Sequence, residues 1–124
     1  MSVVGLGVDV VDMDRFRVVL GRRPRIAERV FTEGERRYAF SKADPAPRLA
    51  ARFAAKEATM KALGVGLGAF KFYDAEVVRA PSGEPSIRLA GAALDLARRR
   101  GATSFSLTMT HSDLVAVAFV IAEA

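Results

Sequence analysis

The chain has 124 residues, 51% of them hydrophobic, which suits a single folded domain (1–124) with its own core and excludes a disordered chain. It has no cysteine, which excludes disulfides, thiolate zinc sites and cysteine nucleophiles, and its one histidine, His111, excludes a multi-imidazole metal cluster on one protomer. The net charge of +5, from 19 Lys plus Arg against 14 Asp plus Glu, points to an acidic partner without naming it.

No run of about eighteen uncharged apolar residues occurs, and no basic segment leads into an apolar block, so neither a membrane span nor a signal peptide is expected. The expected location is cytoplasmic.

The opening SVVGLGVDVV (Ser2 to Val11) is short, β-branched and punctuated by glycine, which predicts a buried strand. Alternation puts Val4, Leu6, Val8 and Val10 on one side and Val3, Gly5, Gly7, Asp9 and Val11 on the other. Asp9 therefore shares a face with two residues that have no side chain, a face with room for a ligand.

Asp12 or Asp14 caps a helix over MDRFRVVL, and Gly21 with Pro24 ends it and begins another turn through RIAERV. Arg15, Arg17, Arg22, Arg23, Arg25 and Arg29 crowd this stretch with few aromatics. A solvated face is the plain reading. Nucleic-acid binding lacks a base-stacking platform or a DNA-reading motif, and docking of an acidic protein suits the same charges equally well.

Thr32 and Glu35 have capping-box spacing and open a short helix through Arg36, Arg37 and Tyr38. SKADPAPR is loop-like, with Pro47 suited to the first turn of a long helix from about Arg48 to Leu63, closed by Gly64. On that helix Leu49, Phe53, Met60 and Leu63 form an apolar stripe, with Lys56 inside it and Glu57 on its edge. Burying charge there requires a partner. The plain reading has Lys56 extending its ammonium to solvent and Glu57 pairing with Lys61 at i, i+4. The functional reading supplies a metal ion and a phosphate: Asp9 and Glu57 converge from strand and helix as hard oxygen donors of the kind magnesium takes.

GVGLG follows this helix instead of preceding one, so it is not a P-loop, and bound phosphate would need Lys61 and a metal for charge. KFYDAEVVRA and SIRLAG read as two strands joined by PSGEP, and GAALDLARRRG as a helix stopped at Gly101. SFSLTMTH alternates strictly, placing His111 on the core-facing side at the strand end. There it is either a half-buried histidine bonded to backbone or a phosphate or hydroxyl contact at a cleft mouth. LVAVAFVIA is continuous enough to be buried on both faces.

Three separated motifs, GVDVVDMDRF, RFAAKEATMKALG and LTMTHS, resemble in order and spacing the bacterial holo-[acyl-carrier-protein] synthase family, the small phosphopantetheinyl transferases, over essentially the whole chain. Met60 and Thr108 depart from the pattern, standing where a small or polar residue and a serine are common. The resemblance implies an α+β fold, mostly antiparallel sheet packed against a long central helix and shorter helices. It also implies an enzyme that transfers 4'-phosphopantetheine from coenzyme A to a serine of acyl carrier protein, with Mg2+, releasing adenosine 3',5'-bisphosphate.

By position it makes Asp9 and Glu57 the metal ligands, Lys61 the lysine facing the pyrophosphate, and Gly64 the glycine that lets the coenzyme approach. His111 and Ser112 match the segment at the nucleotide end, with Pro85 of the SGEP turn beside them. Arg15, Arg22 and Arg25 match the positions that hold the acidic carrier helix. A homotrimer with sites between protomers is implied, with no membrane or nucleic-acid partner. The serine is expected to lose its proton to a carboxylate or to a metal-held water oriented by Glu57. The rival is a non-catalytic basic module binding an acidic protein or RNA, which asks nothing of Asp9, Glu57 or Lys61.

Overall fold

The computed structural model describes residues 2–124. Its strands are β1 (Val3–Asp12), β2 (Ala75–Arg79), β3 (Pro85–Leu89), β4 (Ser104–His111) and β5 (Val115–Glu123). Its helices are α1 (Met13–Arg22), α2 (Ile26–Val30), α3 (Glu33–Phe40), α4 (Ala46–Ala62) and α5 (Gly91–Arg99). The α+β arrangement is the expected one. KFYD forms a single 3-10 turn at Phe72–Asp74 where the sequence predicted strand.

The local signals act as read. The Asp12 side chain accepts from Arg15 N at the start of α1, and Thr32 and Glu35 form the full capping box of α3. Gly64, at φ 72°, ends α4 with Gly64 N donating to Lys61 O and Val65 N to Met60 O. That Schellman geometry calls for a residue free to take positive φ.

β1, β5 and β4 form one antiparallel sheet in that order, and β2 pairs with β3 as a separate hairpin. Helix α4 lies on the inner face of the larger sheet, antiparallel to β1. A Cβ on Gly5 would stand 1.8 Å from Ala62 O, and one on Gly7 1.8 Å from Ala58 O. The room beside Asp9 is therefore filled by helix backbone, not by a ligand. Ala54, Ala55 and Ala58 are fully buried in the contact, small enough to let helix and strand approach closely. Phe16, Phe53 and Phe72 stack in sequence, with centroids 6.1 Å and 5.3 Å apart, and tie α1 and the 3-10 turn to α4.

Two burial expectations change. Only one side of β1 is buried: Leu6, Val8 and Val10 are 57%, 50% and 61% exposed. On β5, Ala116, Ala118, Val120 and Ala122 face the core, but Phe119 is 37% exposed on the other side. The register pairs Leu6 with Ile121, Val8 with Phe119 and Val10 with Val117, so these residues form one apolar outer face. A buried-strand sequence needs cover on both faces, and this chain supplies it on one.

Candidate active site

Asp9 is the next inward residue of β1 after Gly7, and the close approach of α4 brings it beside Glu57 on the helix flank. Asp9 is 8% exposed and Glu57 half-buried. Burial pushes the Glu57 carboxyl up from the ordinary glutamate value; the neighbouring Asp9 carboxyl pushes it the same way, against a weaker opposing pull from Lys61. Lys61 Nζ stands 3.2 Å from Asp9 Oδ1 and 3.0 Å from Val8 O. The expected Glu57–Lys61 pair is not what forms: Lys61 turns to Asp9, the more buried acid.

The donor set fits magnesium. Asp9 and Glu57 supply hard oxygens, and their mutual repulsion is what a divalent cation would relieve. No group of three or more His, Cys, Asp or Glu able to hold a metal occurs among the described residues, so the chain offers no closed protein cage. A cation held by two carboxylates keeps positions for water and phosphate oxygens, as magnesium sites commonly do.

Asp9 and Glu57 sit at the rim of a cleft of about 360 Å³, lined mainly by Phe16, Leu20, Ile26, Val30 and Phe53, with Arg15 at its edge. Arg15, Arg22 and Arg25 are exposed, and none makes an ion pair among the described residues. Arg17 is spent on Asp44, through contacts of 3.0 Å and 2.7 Å.

His111 lies elsewhere. It sits at the end of β4 on the core-facing side, opposite the buried Ala116, but is exposed and not half-buried. It borders a cavity of about 190 Å³ together with Pro85, Tyr38, Arg48, Arg52 and Arg79. Pro85 and His111 thus come together as expected. Ser112 does not join them: its hydroxyl accepts from Leu114 N and Val115 N and shapes the β4–β5 turn. Gly64 borders a third cleft with Lys61 and Arg100.

The arginines and tyrosine of the His111 cavity were missed from the sequence. Arg52 is 4% exposed, and its Nε is buried without a partner. Arg79 and Arg52 lie 4.4 Å and 4.6 Å from the centroid of the Tyr38 ring. Burial pushes the Tyr38 phenol up, but Arg48, Arg79, Lys42 and Arg52 outweigh it and hold the group below its ordinary value. So many cations with an orphaned donor make a site for an anion. The available signal was Arg48 and Arg52 one turn apart on an alanine-rich helix.

The register relates the two sites. Asp9 pairs with Ala118, which pairs with Met109, two residues before His111. The acids and the histidine cavity therefore flank α4 from opposite sides, about 10 Å or more apart across two strand spacings. They share no lining residue.

Lys56 needs neither metal nor phosphate. Its ammonium is fully buried, 2.7 Å from Glu35 Oε1 and 2.8 Å from Ala75 O. Burial pushes the lysine down from its usual value, and Glu35 opposes that. Removing one member of such a pair costs on the order of 3–5 kcal/mol, because the other charge is stranded.

Comparison with known proteins places the chain in a family. A holo-[acyl-carrier-protein] synthase of Frankia alni is 50% identical over 123 residues, covering 99% of both chains. The crystal structure of the Neisseria meningitidis holo-[acyl-carrier-protein] synthase superposes with a TM-score of 0.90 at 30% identity, covering 99% of this chain and 100% of that one. The Bacillus anthracis holo-(acyl-carrier-protein) synthase, solved in complex with CoA (3',5'-ADP), gives a TM-score of 0.82 at 32% identity, covering 98% and 97%. The profile of the 4'-phosphopantetheinyl transferase superfamily matches residues 5–119, a span that holds the paired acids, Lys61 and the His111 cavity, and the chain belongs to that family.

Proposed function

We propose that the chain, acting as one domain over 1–124 in the cytoplasm, transfers 4'-phosphopantetheine from coenzyme A to a serine of apo acyl carrier protein. The observation that carries this reading is the pair of adjacent acids, Asp9 and Glu57, beside Lys61, on a chain half identical to a holo-[acyl-carrier-protein] synthase. In the reaction the serine Oγ forms a bond to the β-phosphorus of coenzyme A. The bond from that phosphorus to the bridging oxygen breaks, and adenosine 3',5'-bisphosphate leaves.

Asp9 and Glu57 would hold Mg2+, which supplies charge neutralisation at the pyrophosphate. Lys61, its side chain 55% exposed, is free to swing from Asp9 to a phosphate oxygen. Glu57 beside the reacting centre would orient the water that takes the serine proton. The cavity of Arg48, Arg52, Arg79 and His111 suits the phosphorylated ribose end, with Pro85 against the base. Arg15, Arg22 and Arg25 beside the apolar cleft suit an acidic carrier helix with an apolar stripe. Gly64 leaves backbone open near Lys61. Ser112 serves by shaping the turn next to His111.

Two half-sites on opposite flanks of α4 fit a homotrimer in which each coenzyme lies between neighbouring protomers. The apolar outer face of Leu6, Val8, Val10 and Phe119 is the surface suited to that contact. Val8→Asp is expected to give a folded, smaller and inactive species on a sizing column. An inactive variant of unchanged size would remove the trimer reading.

The direct test is incubation of the purified chain with coenzyme A, Mg2+ and apo carrier protein, with the carrier weighed by mass spectrometry. A gain of one phosphopantetheine supports transfer. An unmodified carrier that still binds would favour the non-catalytic basic module.

A further inference from the structure

The Lys56–Glu35 pair has no part in the proposed chemistry, yet it is among the most completely buried groups in the molecule. Both side chains have 0% exposure. Glu35 Oε1 accepts from Thr32 N at 2.9 Å as well as from Lys56 Nζ, and Oε2 accepts from Val77 N at 2.9 Å. Lys56 also donates to Ala75 O and lies 5.6 Å from the centroid of the Phe31 ring. One ion pair thus joins the start of α3, the middle of α4 and strand β2.

Stability alone explains this poorly. Apolar side chains of similar volume commonly replace a buried ion pair without loss, since desolvation offsets most of the Coulomb attraction. What an ion pair adds is orientation: its donors and acceptors are satisfied in one arrangement only. Here the arrangement governs both half-sites. Lys56 precedes Glu57, about 100° round the helix, so the roll of α4 that satisfies Lys56 also sets where Glu57 points. Arg52, one turn earlier, borders the His111 cavity. On the other arm, the bond to Val77 N holds the β2–β3 hairpin two residues from Arg79, and Pro85 pairs with Arg79 across it. Glu76 adds a further tie, bonded to Thr32 Oγ1 and Arg88 Nη2.

We propose that Lys56 and Glu35 are positioning residues: their buried pair locks the roll of α4 to the β2–β3 hairpin, so that the metal-binding acids and the nucleotide cavity keep a fixed relation. The inference rests on the transferase reading above and assigns Lys56 no contact with substrate.

The test uses the full chain carrying Glu35→Gln, and the double variant Lys56→Met with Glu35→Gln, which removes both charges so that neither is stranded. Folding is followed by circular dichroism and thermal melting. Mn2+ binding in the presence of coenzyme A is followed by electron paramagnetic resonance, and kcat and KM by the carrier assay. Folded variants are expected to bind Mn2+ about tenfold more weakly and to lose at least tenfold in kcat. Carrier KM should stay within twofold, because the arginine face is not part of the network. A folded variant with wild-type Mn2+ affinity and kcat overturns the proposal. If both variants fail to fold, Thr32→Ala decides, since it removes the Oγ1 bonds to Glu35 N and Glu76 and no charge. It should weaken Mn2+ binding about threefold, and unchanged binding overturns the proposal. Wild-type chain that transfers nothing removes the transferase reading and this inference with it, whereas active wild type matched by its variants removes the inference alone.

Discussion

Lys61 Nζ reaches 3.2 Å from the Asp9 carboxylate and does not pair with Glu57, its neighbour one helical turn back. The lysine side chain is 55% exposed, and solvent screens most of the attraction, so the contact contributes little to stability. Lys61→Ala should therefore melt within a few degrees of wild type while kcat falls roughly 10²-fold, the scale for losing one group that stabilises transition-state charge. Thermal melting and the carrier assay on the same preparation check this, and equal activity would remove Lys61 from the chemistry.

Glu57 carries a pH signature. Its folded pKa is raised, by burial first and by Asp9 second, so the metal-free folded chain binds a proton there more readily than the unfolded chain. Stability from this group is present below the unfolded glutamate value and is lost as pH rises through the raised folded value. Glu57→Gln should thus raise the melting temperature in EDTA at pH 7.5, with little effect at pH 4, and should abolish transfer. Mg2+ should stabilise wild type at pH 7.5 and progressively less toward acid, because both acids must be ionised to hold it. Melting curves with Mg2+ and with EDTA across pH 4 to 8 measure both effects.

Gly7→Ala tests the seam between α4 and β1. The new Cβ would lie 1.8 Å from Ala58 O, which is backbone and cannot rotate aside. The helix must lift from the strand, at a cost of about 3 kcal/mol or more, at the upper end for overpacked cores. Urea unfolding should show that loss, and transfer should fall with it, because Asp9 and Glu57 separate when the seam opens. Gly21→Ala, with nothing within 4 Å of the added carbon, is the control.

Arg22→Glu should raise carrier KM about tenfold and leave coenzyme A KM unchanged, since Arg22 is exposed on α1 and lines neither the cleft beside the acids nor the His111 cavity. Added salt should mimic the variant for the same reason. Steady-state kinetics with each substrate varied in turn will show it, and an equal change in both constants would move the docking face elsewhere.

Much of this was legible because its cause is local. Thr32 and Glu35 announced a capping box, Gly64 a helix end and the alternation of β4 a strand, all decided by residues within a few positions of one another. Glu35 shows where that reading stops. Its place in the capping box was visible, but the same carboxylate also receives Lys56 from 21 residues away and Val77 from 42. The question of how Lys56 could lie in an apolar stripe therefore had an answer that spacing could not give.

By itself the sequence determined most of the elements and their ends, and it singled out the acids and lysine proposed to bear the chemistry, because backbone hydrogen bonding and side-chain periodicity are set over short stretches of chain. Tertiary structure alone decided that Gly5 and Gly7 seat a helix, that Arg52 and Tyr38 share a cavity with His111, and that one side of β1 is left uncovered. Each of these depends on which distant surfaces meet, and that follows from packing the whole chain at once, with every buried charge finding its partner.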